Sequence, residues 1–109
     1  MQRMGMVIGL KAEKLDLYKR LHADVWPGVL KALSDCNIKN YSIFLKQPEN
    51  LLFGYWEYHG SDFEADAARI AADPETQRWW THTDPCQQPF PTRKEGEFWA
   101  MMEEVFHLE

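Results

Sequence analysis

The apolar residues of this chain recur first at every second position and then at every third or fourth, and the order of the two rhythms leaves few folds open. Met4, Met6, Ile8 and Leu10 alternate with Gly5, Val7 and Gly9, the pattern of a strand. The two glycines on one side predict a close approach to another backbone or to a ligand. From Lys11 the spacing lengthens, with Leu15, Tyr18, Leu21, Val25, Val29 and Leu33 falling on a helical stripe. Pro27 lacks an N–H and crowds the turn before it, so one helix ends near Asp24 and a second starts at the proline. Residues 37–47 and 51–58 read as strands joined by a turn at Pro48, Glu49 and Asn50, an antiparallel hairpin. Ser61 and Asp62 cap a further helix carrying Phe63, Ala67, Ile70 and Ala71, and Asp73-Pro74 opens another helical segment that leads to Trp79 and Trp80. Pro85, Pro89 and Pro91 make 83–96 an ordered crossing loop, and Met101, Met102, Val105, Phe106 and Leu108 read as a closing strand.

Strand, helix, strand, strand, helix, strand is the split order of a ferredoxin-like α+β domain, βαββαβ, with one antiparallel sheet and helices on one face. A chain of 109 residues is expected to make one such domain over 1–109. In the third strand Leu51, Phe53 and Tyr55 point to one side and Leu52, Trp56 and Tyr58 to the other, so both faces of the sheet are apolar. Helices cover one face. A second copy of the chain is the simplest cover for the other, which predicts a homodimer.

A net charge of −5 supplies no basic patch for nucleic acid or an anionic membrane surface. No stretch nears the ~18 apolar residues that span a bilayer. The opening run MQRMGMVIGL has neither the apolar core nor the cleavage site of a signal peptide, and Cys36 and Cys86 lie in unrelated contexts that suit reduced thiols. The expected location is the cytoplasm.

Chemistry concentrates at Tyr18, His22 and Trp26, four residues apart and therefore on one drifting helix face. A phenol and an imidazole are well suited to moving protons near neutral pH without a metal, and an indole offers a flat apolar surface to a ring-shaped ligand. Taken alone, His22 also fits a half-exposed helical histidine. Tyr41 lies mid-strand and, counting by twos, shares a face with Lys39, Ile43 and Leu45. Trp79 and Trp80 point about 100° apart on a helix, so one is expected to pack while the other lines a pocket. Paired indoles suit carbohydrate, whose C–H face stacks on the ring. His59, His82 and His107 have no metal-ligand spacing, His107 reading as a strand side chain, and Glu103 and Glu104 would fall on opposite faces of the last strand. Gly5 and Gly9 form no phosphate loop and no serine stands in a nucleophile elbow, so neither metal nor cofactor is expected.

The run from Tyr18 through His22 to Trp26-Pro27 resembles the YxxxHxxxWP signature of the L-rhamnose mutarotases. The likeness continues through Asn40-Tyr41-Ser42-Ile43-Phe44-Leu45, Asn50-Leu51-Leu52-Phe53, Gln77-Arg78-Trp79-Trp80 and Met102-Glu103-Glu104-Val105-Phe106. Gly28 departs from the glutamate that often follows the Trp-Pro pair, and the 83–96 stretch is longer and richer in proline than in some members. The resemblance implies a ferredoxin-like subunit of the dimeric α+β barrel type, and a cofactor-free isomerase that interconverts the anomers of a monosaccharide, L-rhamnose. It implies His22 as proton donor, with Tyr18, Tyr41, Trp79 and Trp80 contacting the sugar. Whether Tyr18 or Tyr41 shares the proton transfer stays open. The competing readings are a cofactor-free monooxygenase or lactone isomerase of the same fold, and a sugar-binding module without catalysis.

Overall fold

A computed structural model describes residues 1–109. In chain order the elements are β1 (Gln2–Leu10), α1 (Leu15–Ala23), α2 (Pro27–Asp35), β2 (Ile38–Lys46), β3 (Leu51–Tyr58), α3 (Phe63–Ala72), α4 (Pro74–Thr83), β4 (Gln87–Gln88) and β5 (Ala100–Met102). Short 3-10 turns, Ala12–Lys14 and Asp84–Cys86, precede α1 and follow α4. Each helical position of the ferredoxin-like plan is thus filled by two helices broken at a proline. Pro27 begins α2 just after Trp26, and Pro74 begins α4, whose N-cap Asp73 accepts from the Thr76 N–H at 2.8 Å. Asp62 caps α3 in the same way through Ala65. No helix is long and apolar enough to cross a membrane.

The sheet is antiparallel with the order β2-β3-β1-β4, and β5 joins the same edge of β1 as β4. The expected fourth strand is split. β4 pairs with Gly9 and Leu10, β5 with Gly5, Met6 and Val7, and the chain between them loops out. Gly9 bears out the expected close approach, since a Cβ there would lie 2.7 Å from the Gln88 carbonyl oxygen.

Two expectations need correction. The closing strand is only Ala100–Met102, and Val105, Phe106 and Leu108 lie exposed beyond it, as does His107. The register that pairs Gly5 with Met102 continues as far as the Arg3–Glu104 ion pair, but β1 starts at Gln2, so the last residues have no strand left to pair with. The other correction lies in β2. A bulge between Lys39 and Ser42, with Asn40 at φ 50°, inserts an extra residue and reverses the alternation. Ile38 faces the helices before the bulge, and Tyr41, Ile43 and Leu45 face them after it. Lys39, paired with Glu57, does not share their face.

The core lies between sheet and helices, where Ile8, Leu10, Tyr18, Leu52 and Cys86 are buried together. At the far end a polar lock ties α3 to the sheet. The Asp66 carboxylate accepts from the Tyr58 hydroxyl at 2.6 Å, Asn37 Nδ2 at 3.0 Å and Arg69 at 2.7 Å. Between these two packed regions the helices stand off the sheet and leave a cavity.

Candidate active site

The main cavity, so called because Tyr18, His22, Tyr41 and Trp80 all line it, has a volume of about 370 Å³, within the ~300–1,000 Å³ typical of small-molecule sites. Its floor is the inner face of the sheet, with Met6, Tyr41, Ile43, Trp56 and Met101; its roof and walls come from the helices and from Phe98 and Trp99. The polar groups that reach it are few: the hydroxyls of Tyr18 and Tyr41, the imidazole of His22, and the side chains of Thr76, Thr83, Asp84 and Gln87. A second cavity of about 410 Å³ lies alongside, and His22, Leu33, Tyr41 and Ile43 line both.

Helical spacing brings Tyr18 and His22 together as expected. Their rings stack with centroids 4.2 Å apart, and His22 Nδ1 lies 3.0 Å from the Tyr18 carbonyl oxygen. A carbonyl can only accept, so Nδ1 carries the proton and the neutral imidazole keeps its lone pair on Nε2. Burial lowers the His22 pKa below its usual 6.5, against the opposing pull of that carbonyl. The ring is therefore neutral at physiological pH.

The two phenols are held differently. Tyr18 is buried, and Gln87 Nε2 donates to its oxygen at 3.2 Å, leaving the phenolic hydrogen free to point elsewhere. Burial raises the Tyr18 pKa well above its ordinary value. Tyr41 packs edge-on against Trp56 at 5.0 Å, and desolvation pushes its phenol up to about 12. Both stay protonated near neutrality.

The adjacent tryptophans divide as their geometry requires. Trp79 is 5% exposed and sets its edge against His22, with centroids 5.3 Å apart, while Trp80 is 38% exposed and lines the main cavity. Trp79 reaches only the second cavity. Trp26 does not serve as a ligand surface. The helix stops at Ala23, and the indole packs between Trp79 and His82 at 5.3 and 5.4 Å. It is a buttress for the wall that holds His22.

The L-rhamnose mutarotase family model matches residues 3–108. The L-rhamnose mutarotase of Opitutus terrae is 37% identical over 97% of this chain and 93% of its own. That of Pectobacterium carotovorum is 32% identical over the full length of both. The chain belongs to the L-rhamnose mutarotase family. The crystal structure of a member from Formosa agariphila superposes with a TM-score of 0.79 at 25% identity, covering both chains completely. A polyketide cyclase from Streptomyces glaucescens, tetracenomycin F2 cyclase, matches with a TM-score of 0.73 at 12% identity over all of this chain and 98% of its own. That likeness is one of fold alone.

In this mutarotase-family chain, sequence reasoning overlooked Trp56, Phe98, Trp99, Asp84 and Gln87 as lining residues. Trp56 had been placed on its strand face, and that face proves to be the cavity floor. Asp84 and Gln87 carry no periodic signal, since they lie in a 3-10 turn and a two-residue strand.

Proposed function

We propose that this protein interconverts the α and β anomers of L-rhamnose, with His22 moving the proton at the anomeric centre. The reading rests on one observation above all: an imidazole whose Nδ1 is tied to the Tyr18 carbonyl, stacked on a phenol, faces an aromatic cavity in a chain of the L-rhamnose mutarotase family.

Mutarotation opens the ring and closes it on the other face. The neutral His22 Nε2 takes the proton from the anomeric hydroxyl as the bond between C1 and the ring oxygen breaks, and the ring oxygen receives a proton from a facing phenol. C1 is then an aldehyde. After rotation about C1–C2, the imidazolium returns its proton to the carbonyl oxygen while the chain hydroxyl attacks C1 and gives its own proton back to the phenolate. His22 is thus proton donor in closure and acceptor in opening, and the cycle consumes nothing. Tyr18 and Tyr41 are the two phenols available, and Tyr18→Phe and Tyr41→Phe separate their roles. Trp80 offers its indole to the C–H face of the sugar, and Trp79 meets it from the adjoining cavity while holding the imidazole. The apolar walls suit the methyl group of a 6-deoxy sugar.

The protein is further proposed to work as a homodimer in the cytoplasm. The sheet face turned from the helices carries Val7, Phe53 and Tyr55, with Phe44 66% exposed, and a second copy covers such a surface. Two free, buried cysteines suit a reducing compartment.

Saturation-transfer proton NMR on equilibrated L-rhamnose tests the activity. Irradiating one anomeric signal should transfer saturation to the other when the protein is present. His22→Ala should lower that exchange by ~10²–10⁴ with unchanged circular dichroism. Bound sugar without exchange in the folded wild type would replace this proposal by a binding module.

A further inference from the structure

The main cavity is lined by a single carboxylate and by no lysine or arginine. That carboxylate is Asp84, and proton transfer at the anomeric carbon does not use it. It stands at the rim, exposed on one side and lining the cavity on the other. Its local partners are the Thr83 hydroxyl and the start of the 3-10 turn Asp84–Cys86. None of the chain's ion pairs includes it. It is the C-cap of α4, whose carbonyl end disfavours negative charge. Partial burial raises its carboxyl pKa, with the Thr83 hydroxyl as the opposing influence. A carboxylate that lines an apolar cavity with no cation beside it keeps acceptor capacity for a polar ligand.

Its surroundings hold it still. The Asp84 N–H donates to the Trp80 carbonyl, Pro85 restricts the next turn, and the carbonyl of the wholly buried Cys86 accepts from the N–H of Lys11, the residue after β1, at 2.8 Å. The nearest neutral polar groups have donors committed elsewhere, and none of them carries a charge. Gln87 donates to Tyr18, and the Thr76 hydroxyl donates to Asp73 at 2.9 Å. A pyranose brings several hydroxyl donors into a cavity poor in acceptors, where an ionised carboxylate makes the strongest bonds.

We infer that Asp84 sets specificity: its carboxylate accepts hydrogen bonds from ring hydroxyls of the bound sugar, away from the anomeric carbon. This deepens the mutarotase reading of the cavity and rests on it. A sugar lacking the hydroxyl held by Asp84 leaves that carboxylate partly buried and unpaired, and is rejected for that reason.

The test measures anomer exchange by saturation transfer over a range of L-rhamnose concentrations, with wild type, Asp84→Asn and Asp84→Ala. Both variants should raise KM about 10- to 100-fold, leaving exchange at saturation close to wild type. Analogues of L-rhamnose each lacking one ring hydroxyl should then find one position whose removal weakens wild-type binding but not the binding of Asp84→Ala. An unchanged KM in both folded variants overturns the inference. So does an unchanged KM with collapsed exchange at saturation, which would make Asp84 a proton-transfer group. Failure of the mutarotase reading is distinct: wild type would then bind sugar without exchanging anomers. The deoxy series in wild type decides the inference even if a variant fails to fold, since equal binding of every analogue overturns it.

Discussion

His22 owes its protonation state to two neighbours of opposite effect, the apolar wall that desolvates it and the Tyr18 carbonyl that fixes its tautomer. Since burial lowers its pKa, the neutral, reactive form persists below the ordinary 6.5. Exchange should therefore hold level as pH falls through that value and decline only as it passes the depressed one. Stability follows the same sign. Below about 6.5 the unfolded chain binds a proton at this position that the folded chain resists, so stability present at higher pH is lost on acidification. His22→Gln should flatten that part of the curve of Tm against pH. Asp66 responds at lower pH. Hydrogen bonds from Tyr58 and Asn37, then from Arg69, hold its carboxyl below the ordinary 3.8. Its contribution is complete above that value and is lost as pH falls through the depressed pKa. Asp66→Asn should lower Tm at neutral pH, and the gap to wild type should close in acid. At this scale Tyr18 and His22 were legible, because helical spacing alone decides which side chains share a face. Trp26 was misread because the helix ends before it.

Two glycines show how elements respond to the same change in opposite ways. A Cβ at Gly9 would meet the backbone carbonyl of Gln88, which β1–β4 pairing holds in place. Gly9→Ala should cost ~1–3 kcal/mol in chemical denaturation. A Cβ at Gly28 would overlap the Glu75 carboxylate, the far end of a flexible side chain from α4. That side chain can swing away, and alanine is the better helix former, so Gly28→Ala should be neutral or stabilising by up to ~1 kcal/mol. Prolines, caps and the hairpin were readable because each acts within a few residues of itself. The bulge at Asn40 was not. It depends on how β2 meets β3, and it places Tyr41 on the inner face with Ile43, while Lys39 stays on the other. The fourth strand likewise depends on what β1 leaves unpaired, which no local pattern reveals.

At the scale of the whole molecule the outer sheet face, with Phe44 exposed on it, is the apolar surface that the helices leave uncovered. If two copies meet there, Phe44→Glu should shift the protein toward monomer in sedimentation velocity, because a charge would be buried without a partner. The exposed tail with Val105, Phe106 and Leu108 follows β5, at the edge of the sheet opposite β2, and if the interface spans the sheet, removing residues 105–109 should weaken the dimer as well. A wild type that sediments as a monomer would remove both expectations. The sequence by itself determined the kinds and order of the elements, the breaks at Pro27 and Pro74, and the shared helix face of Tyr18 and His22, since backbone periodicity and steric limits act over one or two turns of chain. Only the tertiary structure decided that Trp56 floors the cavity, that Trp79 packs while Trp80 lines it, that Gln87 holds Tyr18, and that Asp84 reaches the rim. Those residues are distant in sequence, and what brings them together is the burial of one shared apolar surface, a property of the packed layers and of no single segment.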